Sequence, residues 1–81
     1  MDRVQAKIKV YKLLSETISD FDTDVDSKSL LKSDLGIDSI DAVDIVIQLE
    51  NETFSIVSDD EFKNWETIDD IIDQYVKQIN R

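Results

Sequence analysis

The chain has no cysteine, no histidine and no proline, and its single glycine is Gly36. Without cysteine and histidine there is no disulfide, no thiol nucleophile, no serine–histidine pair and no zinc site with the usual ligands. Demanding chemistry has to be imported. No apolar run comes near the roughly 20 residues that cross a bilayer. The opening MDRVQAKIKVYK interleaves charged and apolar groups, unlike the apolar centre of a secretion signal. The expected location is the cytoplasm, with no membrane insertion. A chain of 81 residues buries only about 60% of its unfolded surface, which leaves little room for a deep enzymatic cleft. Residues 1–81 are expected to form one domain.

Positive charge is also scarce. Nine bases stand against 19 acids, a formal charge of −10, which argues against nucleic acid or an anionic membrane as partner and favours a basic protein surface. The bases gather early: Arg3, Lys7, Lys9 and Lys12 oppose only Asp2, whereas residues 34–73 hold thirteen acids and one base, Lys63.

The apolar residues that are present recur at helical spacing, and the chain reads as all-α. A first helix is expected from about Arg3 to Ile18, capped by Asp2, with two candidate inner faces, Val4/Ile8/Tyr11/Leu14/Ile18 and Ala6/Val10/Leu13. A long polar loop, SDFDTDVDSKS, follows, and Phe21, Val25, Leu30 and Leu31 are expected to pin it. Near the end, Thr67 and Asp70 have capping-box spacing, and Ile68, Ile71, Ile72, Tyr75, Val76 and Ile79 mark one buried stripe. Between these helices SDDEFKNW, opening on Ser58 with acids behind it, predicts one short helix.

The helix after Ser39 is unusual. At about 100° per residue, Ala42, Ile45, Val46 and Leu49 fall on one side, and Ile40, Val43 and Ile47 fall nearly opposite. Asp44 and Glu50 edge the second stripe, and Asp41 lies between the two. One reading is a central helix buried all round. The preferred reading makes the second stripe a docking surface, apolar anchors in an acidic border, suited to a groove rimmed with lysine or arginine. Gly36 can take a positive φ and turn the chain into this helix. Asp38 or Ser39 can cap it, and the positive end of the helix dipole favours an anion such as phosphate beside the serine. Alone, Ser39 would read as an ordinary cap.

The run DLGIDSIDAVDIVIQLE resembles the 4′-phosphopantetheine attachment region of acyl carrier proteins, whose members show D-L-G-x-D-S-[LI]-D-x-V-[ED]. Asp34, Leu35, Gly36, Asp38, Ser39, Ile40, Asp41, Val43 and Asp44 match it position by position. The resemblance implies a four-helix acyl-carrier-like bundle with three long helices, one short helix and a long first loop. It implies that a phosphopantetheinyl transferase, with Mg²⁺ and coenzyme A, joins the arm to Ser39, beside Gly36 and Asp38. The arm's thiol then carries acyl groups as thioesters. Partner enzymes, such as acyl-carrier synthetases, ketosynthases or acyltransferases, are implied to meet Ile40, Asp41, Val43, Asp44, Ile47 and Glu50 with basic patches. The chain is thus expected to be a monomeric carrier, not an enzyme. The pathway is left open among fatty acid, polyketide and specialised lipid biosynthesis, with a lean to the specialised.

The chain departs from the family at Ser58, where proline is common, and at Thr53–Phe54, where a phenylalanine is displaced by one. Phe62 and Trp65 are bulkier than usual. Three other readings compete. Alternating Asp20, Asp22, Asp24 and Asp26 resemble the start of a calcium loop, but Val25 stands where glycine is needed and Leu31 where glutamate is. An acidic helical interaction module that is never modified would have no need to keep glycine, aspartate and serine together. An autonomous enzyme lacks histidine, cysteine and volume.

Overall fold

A computed structural model of the chain describes residues 2–80. Four helices occupy them: α1 (Arg3–Thr17), α2 (Ser39–Thr53), α3 (Asp59–Lys63) and α4 (Ile68–Ile79). The expected all-α architecture, three long helices and a short one, is the one observed. The only β pairing among the described residues is an isolated bridge between Leu30 and Thr67.

Local sequence explains each helix boundary. The Asp2 carboxylate accepts the Gln5 N–H at 2.8 Å and starts α1. The helix ends one residue before the expected Ile18, which is extended but still donates its N–H to the Leu14 carbonyl at 2.8 Å. Ser58 starts α3 through reciprocal bonds: its Oγ accepts from the Glu61 N–H, and Glu61 Oε1 accepts from the Ser58 N–H, both at 3.2 Å. A proline there would lack that N–H. At α4 the Asp70 carboxylate accepts the backbone N–H groups of Glu66 and Thr67, at 2.8 and 3.1 Å.

The core forms where α1, α2 and α4 meet. Leu14, Ile45, Leu49, Ile68, Ile71 and Ile72 are its largest fully enclosed side chains. The α4 stripe is buried as expected at Ile68, Ile71, Ile72 and Tyr75, with Val76 and Ile79 at its margin. On α1 the inner face is Ala6/Val10/Leu13 joined by Tyr11 and Leu14, while Val4 and Ile8 point to solvent. Arg3 reaches from α1 to Asp69 and Asp73 on α4 and closes that end.

The long first loop is held by specific contacts. Phe21 packs edge-on against Tyr11, ring centres 6.0 Å apart, and the Tyr11 hydroxyl donates to the Val25 carbonyl at 2.7 Å. Asp22 and Asp26 each accept a backbone N–H two residues on, from Asp24 and Lys28. These acids are spent on local turns, and no group of acids able to hold a metal ion occurs among the described residues. Leu31 is buried, but Leu30, expected beside it, faces outward. The reason is local: the Leu30 backbone is fixed by Asp34 and the Thr67 bridge, which turns alternate side chains away from the core.

Candidate functional site

The chain enters α2 through a short, tightly specified segment. Gly36 has φ 67°, and a Cβ built there would meet nothing within 4 Å. The glycine is needed for its backbone conformation, not for space. Its N–H donates to the Lys32 carbonyl, and the Ile37 N–H donates to the Leu31 carbonyl at 2.8 Å. Ile37 is buried and anchors the turn. Its role was not visible in the sequence, because a single apolar residue in a loop has no periodicity.

The choice of cap is settled by one bond. Asp38 is the N-cap, and its Oδ1 accepts the Asp41 N–H at 2.9 Å. Ser39 is the first residue of α2 and is exposed. Its hydroxyl is therefore spared from capping and stands at the positive end of the helix dipole.

A cavity of about 200 Å³ adjoins Ser39, lined by Leu31, Ile37, Ala42, Phe62 and Trp65, with Lys32 and Lys63. Lys63 is the lone base of residues 34–73. No local spacing reveals that Lys63, at the end of α3, lines the same cavity as the serine. Phe62 and Trp65 meet edge-on, 6.3 Å between ring centres, and Trp65 Nε1 is buried without a hydrogen-bond partner.

The two sides of α2 separate cleanly. Ile45 and Leu49 are fully buried and Val46 nearly so, with Ala42 half-buried. On the other side Ile40 is 73% exposed, and Val43 and Ile47 are each 46% exposed. A helix buried all round is thereby excluded. Asp44 is exposed beside that stripe, and Asp41 is half-buried in the first turn. Glu50 stands apart from these acids: its Oε2 accepts the Val57 N–H at 2.9 Å, holding the segment after α2.

Comparison with protein families matches residues 9–74 to the phosphopantetheine attachment site. This chain belongs to the phosphopantetheine-binding carrier family. The acyl carrier protein of Phytoplasma mali is 38% identical over 71 residues, covering 86% of this chain and 82% of that protein. That of Chlorobium phaeobacteroides is 31% identical over 78 residues, covering 96% and 100%. The crystal structure of acyl carrier protein from Thermotoga maritima superposes with a TM-score of 0.84 at 30% identity, over 99% of this chain and 93% of that one. A member of this family is a carrier, not a catalyst, and its prosthetic group is covalent 4′-phosphopantetheine. The residues present suit that group, with an exposed hydroxyl at a helix N-terminus freed from capping, a glycine turn with open space, and two lysines at the adjoining cavity.

Proposed function

We propose that the chain carries acyl groups on a 4′-phosphopantetheine arm attached at Ser39 and presents them to enzymes that dock on the outward side of α2. The observation that carries this reading is the division of labour at the helix start, where Asp38 caps and Ser39 is left exposed. Bound to Ser39, the arm supplies a terminal thiol that holds the acyl group as a thioester. The protein's own residues do the rest. Gly36 and Ile37 set the serine at the surface, and the helix dipole with Lys32 and Lys63 offsets part of the repulsion between a phosphodiester and Asp38 and Asp41. Ile40, Val43 and Ile47, beside Asp41 and Asp44, are suited to apolar sockets edged with lysine or arginine on a phosphopantetheinyl transferase and on acyl-processing enzymes. Phe62 and Trp65, two bulky aromatic rings, line the cavity of about 200 Å³ beside Ser39 and set its shape, which supports a specialised cargo over the range of long saturated chains of general fatty acid synthesis.

Incubation with coenzyme A, Mg²⁺ and a broad-specificity phosphopantetheinyl transferase tests the attachment. The expected result is one added phosphopantetheine on the wild type and none on Ser39→Ala, with the same helical circular dichroism for both. A wild type refused by several transferases, or a Ser39→Ala protein that gains the mass, overturns the reading. Mass spectrometry of protein from its native host, with the thioester preserved, identifies the cargo.

A further inference from the structure

The segment that leaves α2, TFSIV, presents two large apolar side chains to water. Phe54 is 95% exposed and Ile56 is 78% exposed. Looseness does not explain their position, because hydrogen bonds hold the segment from both sides. The Phe54 N–H donates to the Glu50 carbonyl at 2.8 Å, and the Glu50 carboxylate accepts the Val57 N–H at 2.9 Å. From α4 the Gln78 side chain, itself buried, donates to the Ser55 carbonyl at 2.8 Å and to Thr53 Oγ1 at 3.0 Å. The Gln78 oxygen is in turn held by Gln74. Phe54 also sits at φ 55°, ψ 33°, the left-handed cap conformation that glycine or asparagine adopts at least cost. A strained backbone and an exposed ring gain nothing for folding or solubility. Held this firmly, they mark a surface made to be covered.

Phe54 is the C-cap of α2, seven residues past Ile47, so it lies two helical turns farther along the axis from the outward-facing Ile40, Val43 and Ile47. From Ile40 to Phe54 the separation along the axis of α2 is about 21 Å at ~1.5 Å per residue. Exposed acids flank this segment in the chain, Glu52 before it and Asp59 and Asp60 at the start of α3 after it, with Asp44 farther back along α2. A second copy of the chain brings −10 against −10, and an anionic membrane is repelled in the same way.

We infer that Phe54 and Ile56 form a second docking anchor, occupied by an acyl-processing enzyme whose surface has an apolar socket edged with lysine or arginine roughly 20 Å from the mouth that receives Ser39. This inference rests on the carrier function proposed above and adds a requirement on the partner. An enzyme that uses the anchor grips both ends of α2, so the anchor selects among enzymes that would all accept the serine end.

The holo protein with photoreactive p-benzoylphenylalanine at position 54, irradiated in its native host, identifies the contacting proteins. Each is then purified, and its affinity for holo wild type, Phe54→Asn and Ile56→Ser is measured by calorimetry. The anchor predicts weakening of about tenfold or more for Phe54→Asn and a smaller loss for Ile56→Ser. It also predicts a melting temperature for Phe54→Asn equal to or above wild type, because asparagine accepts the left-handed conformation. Unchanged affinity in both variants overturns the anchor, as do cross-links confined to other copies of the chain or to lipid. A wild type that cannot be loaded at Ser39 overturns the carrier reading instead, so the two failures are distinguishable.

Discussion

Ile45 and Ile47 are the same residue, two positions apart on one helix, yet Ile45 has no exposed surface and Ile47 keeps 46% of its own. The difference shows what an apolar residue is for when a helix has apolar groups on both sides. On Ile45's side the neighbours are Ala42, Val46 and Leu49, and the α1 and α4 cores close over them. On Ile47's side an acid stands next to the stripe at Asp44, and Ile40, Val43 and Ile47 stay exposed. Charged borders keep a stripe out of a core, since burying them unpaired costs more than the apolar groups return. The two ends of α2 repeat the contrast. Both pass through a left-handed residue, but Gly36 adopts that conformation at little cost and Phe54 does so under strain.

The sharpest way to break the first contrast is truncation on each side. Ile45→Ala is expected to cost about 2–5 kcal/mol, because it opens a cavity where three helices meet, a large fraction of the stability of so small a domain. Ile47→Ala is expected to cost about 1 kcal/mol or less while slowing transfer to and from partner enzymes. Asp44→Lys should behave like Ile47→Ala, with its binding defect larger at low salt than at high. Urea melts and transferase kinetics on the three variants decide the matter. Equal destabilisation by Ile45→Ala and Ile47→Ala would make the outer stripe part of the core.

Much of this was legible in the sequence, for physical reasons that can be named. The α4 stripe, the two sides of α2 and the Ser58 cap were readable because each depends on neighbours three or four residues away, which the sequence displays directly. The side of α1 that turns inward was not. The richer of its two candidate stripes splits, with Tyr11 and Leu14 buried and Val4 and Ile8 exposed, and that choice depends on how α2 and α4 pack, information held elsewhere in the chain. The buried glutamines were invisible for a different reason. Gln74 and Gln78 lie outside the apolar stripe of α4 and have no spacing that marks them, yet they are buried and bond to Glu61, Thr53 and Ser55. Thr53 stands where the family commonly has phenylalanine. Its hydroxyl donates to the Leu49 carbonyl at 2.7 Å and accepts from Gln78, so a polar chain replaces an aromatic ring at that place. The displaced ring is Phe54, on the outside.

The contrast between the two ends of α2 leads to substitutions of opposite sign. Gly36→Ala is expected to cost roughly 1–2 kcal/mol from the left-handed backbone alone, since the added methyl meets no neighbour. Phe54→Gly is expected to stabilise by up to about 1 kcal/mol, relieving the same conformation where almost no packing is lost. Thermal melts of the pair test this. A destabilised Phe54→Gly would show that the ring is packed in solution and that the exposed anchor is wrong.

The smallest expected effect concerns the polar chain that holds the far end of α2, and it is read as a change with pH. Glu61 accepts from Gln74, from the Ser58 N–H and from Lys77, and these bonds hold its carboxyl down to about 2, below the ordinary value of 4.5. A carboxyl whose folded pKa is lowered stabilises the fold fully above its unfolded pKa, and that contribution is lost as pH falls through the folded one. The window is therefore about pH 4.5 down to 2. The chain's net charge of −10 also changes over this range, so the wild-type curve alone does not isolate Glu61. Glu61→Gln does: glutamine preserves the shape and still accepts from Ser58, but it does not titrate. The stability difference between wild type and Glu61→Gln, measured by urea melts at successive pH values, should be constant above pH 5 and shrink steadily toward pH 2. A difference that stays constant across the window would mean that Glu61 is not held in its charged form, and that Gln74 and Gln78 clamp the end of α2 without it.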